Sequence, residues 1–437
     1  MHYSNQTHHF VVVGGGAGGL ELATKLGNKL GKRNKARITL VDAALTHVWK
    51  PLLHEVAAGS LNSDAAQVDF RVHAQQHYFE YQPGRLTGLN RDQKTITLAP
   101  IKNSAGETVV AERHLSYDTL VLAVGSTTND FGTKGAAEFC QFLDSQEQAR
   151  RFHRNLLNRY LQEEFADSSE RNLRVAIIGA GATGVELAAE LRYASQQLEY
   201  YGLHHIGPDN ISISLIEAGE RILPALKERL SSAACRELKK LNIEVLTSKP
   251  VTEITGQSLH FADGSELEAE IKVWAAGIKA PTFLSELDGL ETNRINQLKV
   301  DATLRTTRDD SIYAFGDCAE CWLEGNERPV PPRAQAAHQQ ASTLYKTLIA
   351  KLEGKAAHPF VYKDHGSLVS LSDYTAVGSL MGNLSKGSMM VEGKLARLFY
   401  VSLYRMHQYA LHGFFKTGLI WLNDRLMKAI HSRMKLH

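Results

Sequence analysis

The chain has 437 residues, of which 43% are hydrophobic and 22% charged. At ~150 residues per domain this suggests about three domains of ordinary globular composition, and it excludes a small binding module, a disordered chain and a polytopic membrane protein. The formal net charge of +2 hides an asymmetry: Leu395 to His437 carry seven Lys or Arg against Asp424 alone, a balance of +6, so the rest of the chain is slightly acidic. A basic tail on an acidic body points to a polyanionic partner surface, either lipid headgroups or nucleic acid.

In chain order, Phe10–Val13 reads as a short apolar strand running into Gly14, Gly16 and Gly19, and then into a helical stretch of Leu and Ala. This G-x-G-x-x-G spacing suits a dinucleotide: the first glycine permits the turn, the second admits the pyrophosphate and the third packs helix on strand. Asp42 follows the strand ITLV, 23 residues beyond Gly19, where a carboxylate accepts the adenosine ribose hydroxyls. Lys32, Arg33, Lys35 and Arg37 read as a solvated loop between helix and strand. A helix is expected over Gln146 to Ser169. It leads to a second strand, Val175–Ile178, and to Gly179, Gly181 and Gly184. Gly14–Leu26 and Gly179–Leu191 lie 165 residues apart and share eight of thirteen positions, including a Glu two residues after the third glycine, Glu21 and Glu186. Gly202–Asn210 (GLHHIGPDN) is a loop that lengthens the way to Glu217, the second ribose acid. An apolar strand ends in IYAFGD at Asp317, a helix starts within Val330–Gln340 after a double proline, and residues 355–393 read as β-strands. From Lys394 the pattern is helical and aromatic.

Two dinucleotide sites in one chain usually pair a tightly held flavin with an exchangeable nicotinamide. Asp317 matches the place where two-dinucleotide flavoproteins return to the first domain, and LVLAVGS (120–126) resembles their crossover strand, so the first unit is expected to hold non-covalent FAD and the second NADH. Glu217 argues for NADH over NADPH, because it would repel a 2′-phosphate; Arg221 lies near enough to oppose this. Glu186 either complements the helix dipole or serves the nicotinamide side.

These motifs resemble the bacterial type II NADH dehydrogenases, the non-proton-pumping NADH:quinone oxidoreductases, over essentially the whole chain: WKPLLHEVAAGS, VWAAGIKAP, YAFGDCAE, PPRAQAAHQ, YKDHGSLVSL and LYRMHQYALHGFFKTG carry the likeness. The resemblance implies that Gln335, His338 and Gln339 sit at the quinone face of the flavin, Lys363 beside flavin and quinone, and Pro51 with Leu52 against the ring system. It makes Glu186, Lys363, Gln335 and Gln339 the expected catalytic or relay set, with ubiquinone or menaquinone as electron acceptor. The expected fold is α/β: two Rossmann-like dinucleotide-binding domains plus a C-terminal α+β segment ending in amphipathic membrane-interface helices. The expected division is 1–130 and 303–345 for FAD, 131–302 for NADH, 346–393 as a β-rich segment near flavin and quinone, and 394–437 as the membrane-binding tail.

Cys140, Cys235, Cys318 and Cys321 are too few for a disulfide framework, and MHYSNQTHHF lacks signal-peptide features, so a reducing cytosol is expected. Asp42 to Ser60 lacks the cysteine pair of disulfide reductases, and Cys318 with Cys321 form a lone C-x-x-C without a second ligand pair, so no metal is expected. Leu419, Leu422, Leu426, Ile430 and Met434 recur at helical spacing among Arg and Lys, which suits the membrane interface and leaves a homodimer surface open. The pronounced apolar face disfavours nucleic acid, which is not expected as a partner. The cytoplasmic face of the bacterial inner membrane is the expected location. A soluble NADH-dependent flavoprotein and a redox-sensing binding protein remain alternatives.

Overall fold

The structure is a computed structural model that describes residues 7–61, 67–166, 172–371, 375–380, 389–392 and 394–430. Its contacts divide the chain into two compact units, Met1–Trp49 with Gln67–Thr127 and Ile278–Lys363, and Lys50–Ala66 with Thr128–Gly277 and Asp364–His437.

The first unit is built on a five-stranded sheet in the order Ile312–Ala314, Thr119–Leu122, His9–Val13, Arg37–Asp42, Glu80–Pro83. All its pairings are parallel. Parallel strands are covered on both faces, and accordingly every residue of His9–Val13 and of Thr119–Leu122 is buried. The helix Ala17–Lys29 follows the first glycine turn and packs on the helix Ala334–Leu352.

The second unit repeats the plan with four parallel strands in the order Ile243–Leu246, Ile211–Ile216, Leu173–Ile178, Ile271–Trp274. The helix Ala182–Gln197 follows its glycine turn. The short helix Leu53–Ala58 packs on both Ala182–Gln197 and Gln146–Glu164. The latter begins in a capping box, with Ser145 and Gln148 satisfying each other's backbone N–H groups, and stops at Glu164, five residues short of the expected Ser169. The Glu164 carboxylate accepts the N–H groups of His204, His205 and Ile206, so the helix end anchors the GLHHIGPDN loop.

The antiparallel strands Gly366–Leu371, Thr375–Leu380 and Met389–Glu392 fall within the predicted β segment. The C-terminal helix Lys394–Ile430 packs on them and breaks at Gly413 (φ 74°, ψ 177°). Arg405 and Asp424, on either side of the break, form a 2.8 Å ion pair that folds the two arms together. Past the break, Phe414, Phe415, Leu419, Trp421, Leu422 and Leu426 are all exposed. The side chain of Ile430, and Arg433, Met434 and Lys435 altogether, lie outside the described residues. Among the described residues no helix is long and apolar enough to cross a membrane.

Candidate functional site

Each glycine turn is shaped by three separate constraints. Gly14 adopts φ +106°, and a Cβ there would fall 2.3 Å from the Ala123 carbonyl oxygen. A Cβ on Gly19 would come within 1.9 Å of the Gly14 carbonyl oxygen, so only glycine lets the helix approach the turn. Gly16, between them, faces open space: nothing lies within 4 Å of its Cβ direction. The second turn reproduces all three, with Gly179 at φ +103°, a Cβ on Gly184 falling 1.9 Å from the Gly179 oxygen, and Gly181 open. In each case a bare backbone at a helix N-terminus is presented to a clear face, which fits a dinucleotide pyrophosphate.

The two acids expected to bind ribose are held by these turns. Asp42 accepts the Gly15 N–H at 2.6 Å and the Ala44 N–H at 2.8 Å. Burial raises its pKa above the usual carboxylate value against these backbone bonds. Glu217 accepts the Ala180 N–H at 3.0 Å and the Gly219 N–H at 2.9 Å. Arg221, the residue that could have favoured a 2′-phosphate, donates instead to the Leu226 and Pro224 carbonyls at 2.8 and 2.9 Å. Asp317 accepts from the Ser126 hydroxyl at 2.8 Å, while its carbonyl takes the Gln297 amide and the preceding Gly316 N–H is held by Gln340.

Within the first unit the helix Ala334–Leu352 arranges the residues of the AQAAHQQ segment. The Gln339 side-chain amide donates to the Lys363 carbonyl at 2.8 Å and accepts the Lys363 N–H at 3.0 Å. This two-bond clasp imitates a strand pairing and holds the backbone of Lys363, an exposed residue. His338 lies 2.6 Å from the buried Glu21, which also binds Lys25 at 2.6 Å. Gln335 is half-buried on the first turn of the same helix. Gln339 and Lys363 are therefore brought together, and His338 is bound to Glu21.

Glu186 lies in the second unit, 7% exposed on the helix Ala182–Gln197. It accepts the Ser370 N–H at 3.0 Å, and the His54 Nδ1 stands 3.7 Å from its other oxygen. Burial, opposed in part by the Ser370 bond and reinforced by the charges of Glu55 and Glu190, pushes its pKa up to about 8. Burial pulls His54 down to about 4, against a hydrogen bond to the Pro51 backbone. Pro51 itself sits half-buried in the 3-10 turn Lys50–Leu52 leading into the helix Leu53–Ala58, which carries His54. Sequence reasoning missed His54, Ser370 and the clasping role of Gln339. A lone His within the apolar run PLLHEVAA was the signal for the first; a backbone donor from a remote strand leaves none.

The C-x-x-C cysteines are buried and free. Burial pushes both thiols up to about 11, and their S–H groups turn to the carbonyls of Leu122 and Phe315, and of Asp301. Among the described residues no group of His, Cys, Asp or Glu could hold a metal ion.

Two parallel sheets, each closed by a glycine turn with an oriented acid, define a protein with two dinucleotide-binding units. The profile of the pyridine nucleotide-disulphide oxidoreductase family matches residues 8–341. The type II NADH:quinone oxidoreductase of Haemophilus influenzae is 48% identical, over 98% of this chain and 99% of its own. The corresponding enzyme Ndh of Mycobacterium tuberculosis is 28% identical over 95% of this chain and 87% of its own. In fold, the chain is similar to NDH2 of Plasmodium falciparum, solved in complex with NADH, at a TM-score of 0.83 and 21% identity over 99% of this chain and 100% of that one. The chain belongs to the pyridine nucleotide-disulphide oxidoreductase family and, within it, to the type II NADH:quinone oxidoreductases.

Proposed function

We propose that the protein oxidises NADH and passes the two electrons through FAD to ubiquinone or menaquinone, without pumping protons. The observation that carries this reading is the pair of glycine turns, each with its acid held by backbone N–H groups, in a chain 48% identical to a type II NADH:quinone oxidoreductase along its whole length. Overall, NADH, one proton and quinone become NAD⁺ and quinol.

Bound FAD supplies the step between a two-electron hydride donor and a quinone. Gly14, Gly16, Gly19 and Asp42 would hold its adenosine and pyrophosphate, with Asp317 on the ribityl side and Pro51 against the ring. Gly179, Gly181 and Gly184 would admit NADH, with Glu217 accepting the free ribose hydroxyls. Lys363, held by Gln339, and Gln335 with His338 would bind quinone oxygens, and Glu186 would hold a proton near neutral pH. In this reading residues 1–130 and 303–345 serve FAD, 131–302 NADH and 346–393 the flavin and quinone side.

Residues 394–437 would seat the protein peripherally on the cytoplasmic face of the bacterial inner membrane and contribute to a homodimer. The exposed Phe414, Phe415, Trp421 and Leu422 beside Lys416 and Arg425 support an interfacial helix. The direct test is NADH oxidation by lipid-supplemented protein given a short-chain ubiquinone. One quinone should be reduced per NADH; oxidation independent of added quinone would contradict the assignment.

A further inference from the structure

Three successive residues of the helix Ala334–Leu352 each grip a different segment of the first unit. His338 binds the Glu21 carboxylate, Gln339 clasps the Lys363 backbone, and Gln340 reaches the turn that carries Asp317. The first two are half-buried, whereas Gln340 is 2% exposed. A buried amide is stable only with its polar atoms matched, and Gln340 Oε1 accepts the Gly316 N–H at 2.9 Å. A second buried amide grips the same turn from another side. Gln297, 8% exposed, donates from Nε2 to the Asp317 carbonyl at 2.9 Å. Its own side chain is locked by Asn293, whose Nδ2 donates to Gln297 Oε1 at 3.0 Å and whose Oδ1 accepts the Gln297 N–H at 3.0 Å. The peptides entering Gly316 and leaving Asp317 are thus fixed by side chains 24 and 20 residues away. Gly316 has φ +75°, a conformation that glycine adopts readily and as readily leaves. The Ser126 hydroxyl holds Oδ2 of Asp317, so the carboxylate is oriented as well as its backbone.

We infer that Gln340 and Gln297 are positioning residues for the flavin, holding the Gly316–Asp317 turn in its binding shape before FAD arrives. The inference rests on the reading that Asp317 serves FAD. Both amides act through the main chain, since each gives its bond to a backbone group of the turn. With either bond lost, one of the flanking peptides is free to rotate about a glycine or its neighbour. The turn must then be ordered when the flavin binds, and that ordering weakens binding. A buried amide that served only to fill the core would act differently: its loss would lower the stability of the protein equally with and without flavin.

The test compares wild type with Gln340→Met, Gln297→Met and Asp317→Ala in the full-length, lipid-supplemented protein. Methionine keeps the length of the side chain and removes the amide. Two quantities are read: the FAD dissociation constant, from the fluorescence of flavin released on dilution, and Tm with and without excess FAD. Both glutamine variants should raise the dissociation constant roughly 10-fold or more, and the gain in Tm from added FAD should shrink accordingly. Gln297→Met carries the test should Gln340→Met fold poorly. An unchanged dissociation constant in either folded variant, with Tm lowered alike in the presence and absence of FAD, would overturn the inference. Asp317→Ala separates this failure from that of the reading beneath it. If Asp317→Ala weakens FAD binding while the glutamine variants do not, the inference alone falls. If Asp317→Ala leaves the dissociation constant unchanged, the assignment of Asp317 to FAD falls and the inference falls with it.

Discussion

Glu21 and Glu186 occupy the same position in two copies of one fingerprint, each two residues after the third glycine, and their surroundings drive them to opposite protonation states. Burial pushes Glu21 up, but His338 and Lys25 together outweigh it and hold the pKa below the ordinary value. Among the described residues no cation opposes this at Glu186: burial dominates, and the carboxyl is pushed up to about 8. One copy thus became a buried ion pair and the other a carboxyl that keeps its proton near neutrality.

This contrast gives a pH signature for Glu186. The folded protein keeps the proton to about pH 8, whereas an unfolded Glu loses it near 4.3. The native state binds the extra proton between those values, so its stability falls as pH rises through that window. Thermal unfolding of Glu186→Gln should show a smaller loss of Tm between pH 6 and 9 than wild type. Parallel curves would contradict the assignment.

Glu21 has the opposite sign. Its folded pKa is depressed, so its contribution is present above the unfolded value and is lost as pH falls through the folded one. Glu21→Gln leaves His338 and Lys25 without their carboxylate and should cost about 1–3 kcal/mol at neutral pH. Urea unfolding at pH 7 and pH 4 measures this, and the gap between the two proteins should narrow at the lower pH.

The open glycine of the second unit, proposed to admit NADH, separates binding from folding. Gly181→Val introduces a side chain into space that nothing in the structure fills, so Tm should hold while KM for NADH rises about 10-fold or more. Gly184→Val, by contrast, drives its Cβ into the Gly179 carbonyl and should lower Tm. Equal Tm in the two variants would be inconsistent with this packing.

Coenzyme choice is predicted to rest on Glu217. Because Arg221 is committed to two backbone carbonyls, Glu217→Gln acts by removing repulsion toward a 2′-phosphate, without freeing a guanidinium to attract it. The preference for NADH over NADPH, read as the ratio of kcat/KM values, should fall about 10-fold, equivalent to ~1.4 kcal/mol. An unchanged ratio would place discrimination elsewhere.

Much of the fold was legible because glycine turns follow short apolar strands in a repeat that only a Rossmann-like unit explains: Gly14, Gly19, Gly179 and Gly184 fill the predicted positions. The places of Asp42 and Glu217 were legible from spacing, since both stand at strand ends beside those turns. Side-chain partnerships were not. Nothing local says that Gln339 spends its amide on the Lys363 backbone, because 24 residues separate them. Nor does residue order say that Leu53–Ala58, which follows Asp42, packs with the helices of the second unit. That placement comes from the apolar face of LLHEVAA finding two helices to bury against, and it is what brings His54 to Glu186.

The most direct measurement is anaerobic flavin absorbance in purified, lipid-supplemented protein, followed first on adding NADH and then, after removing excess donor, on adding a short-chain ubiquinone. Bleaching by NADH and rapid return of the oxidised spectrum with ubiquinone is the predicted result. Bleaching that persists with ubiquinone, while a control dye restores the spectrum, would contradict the account.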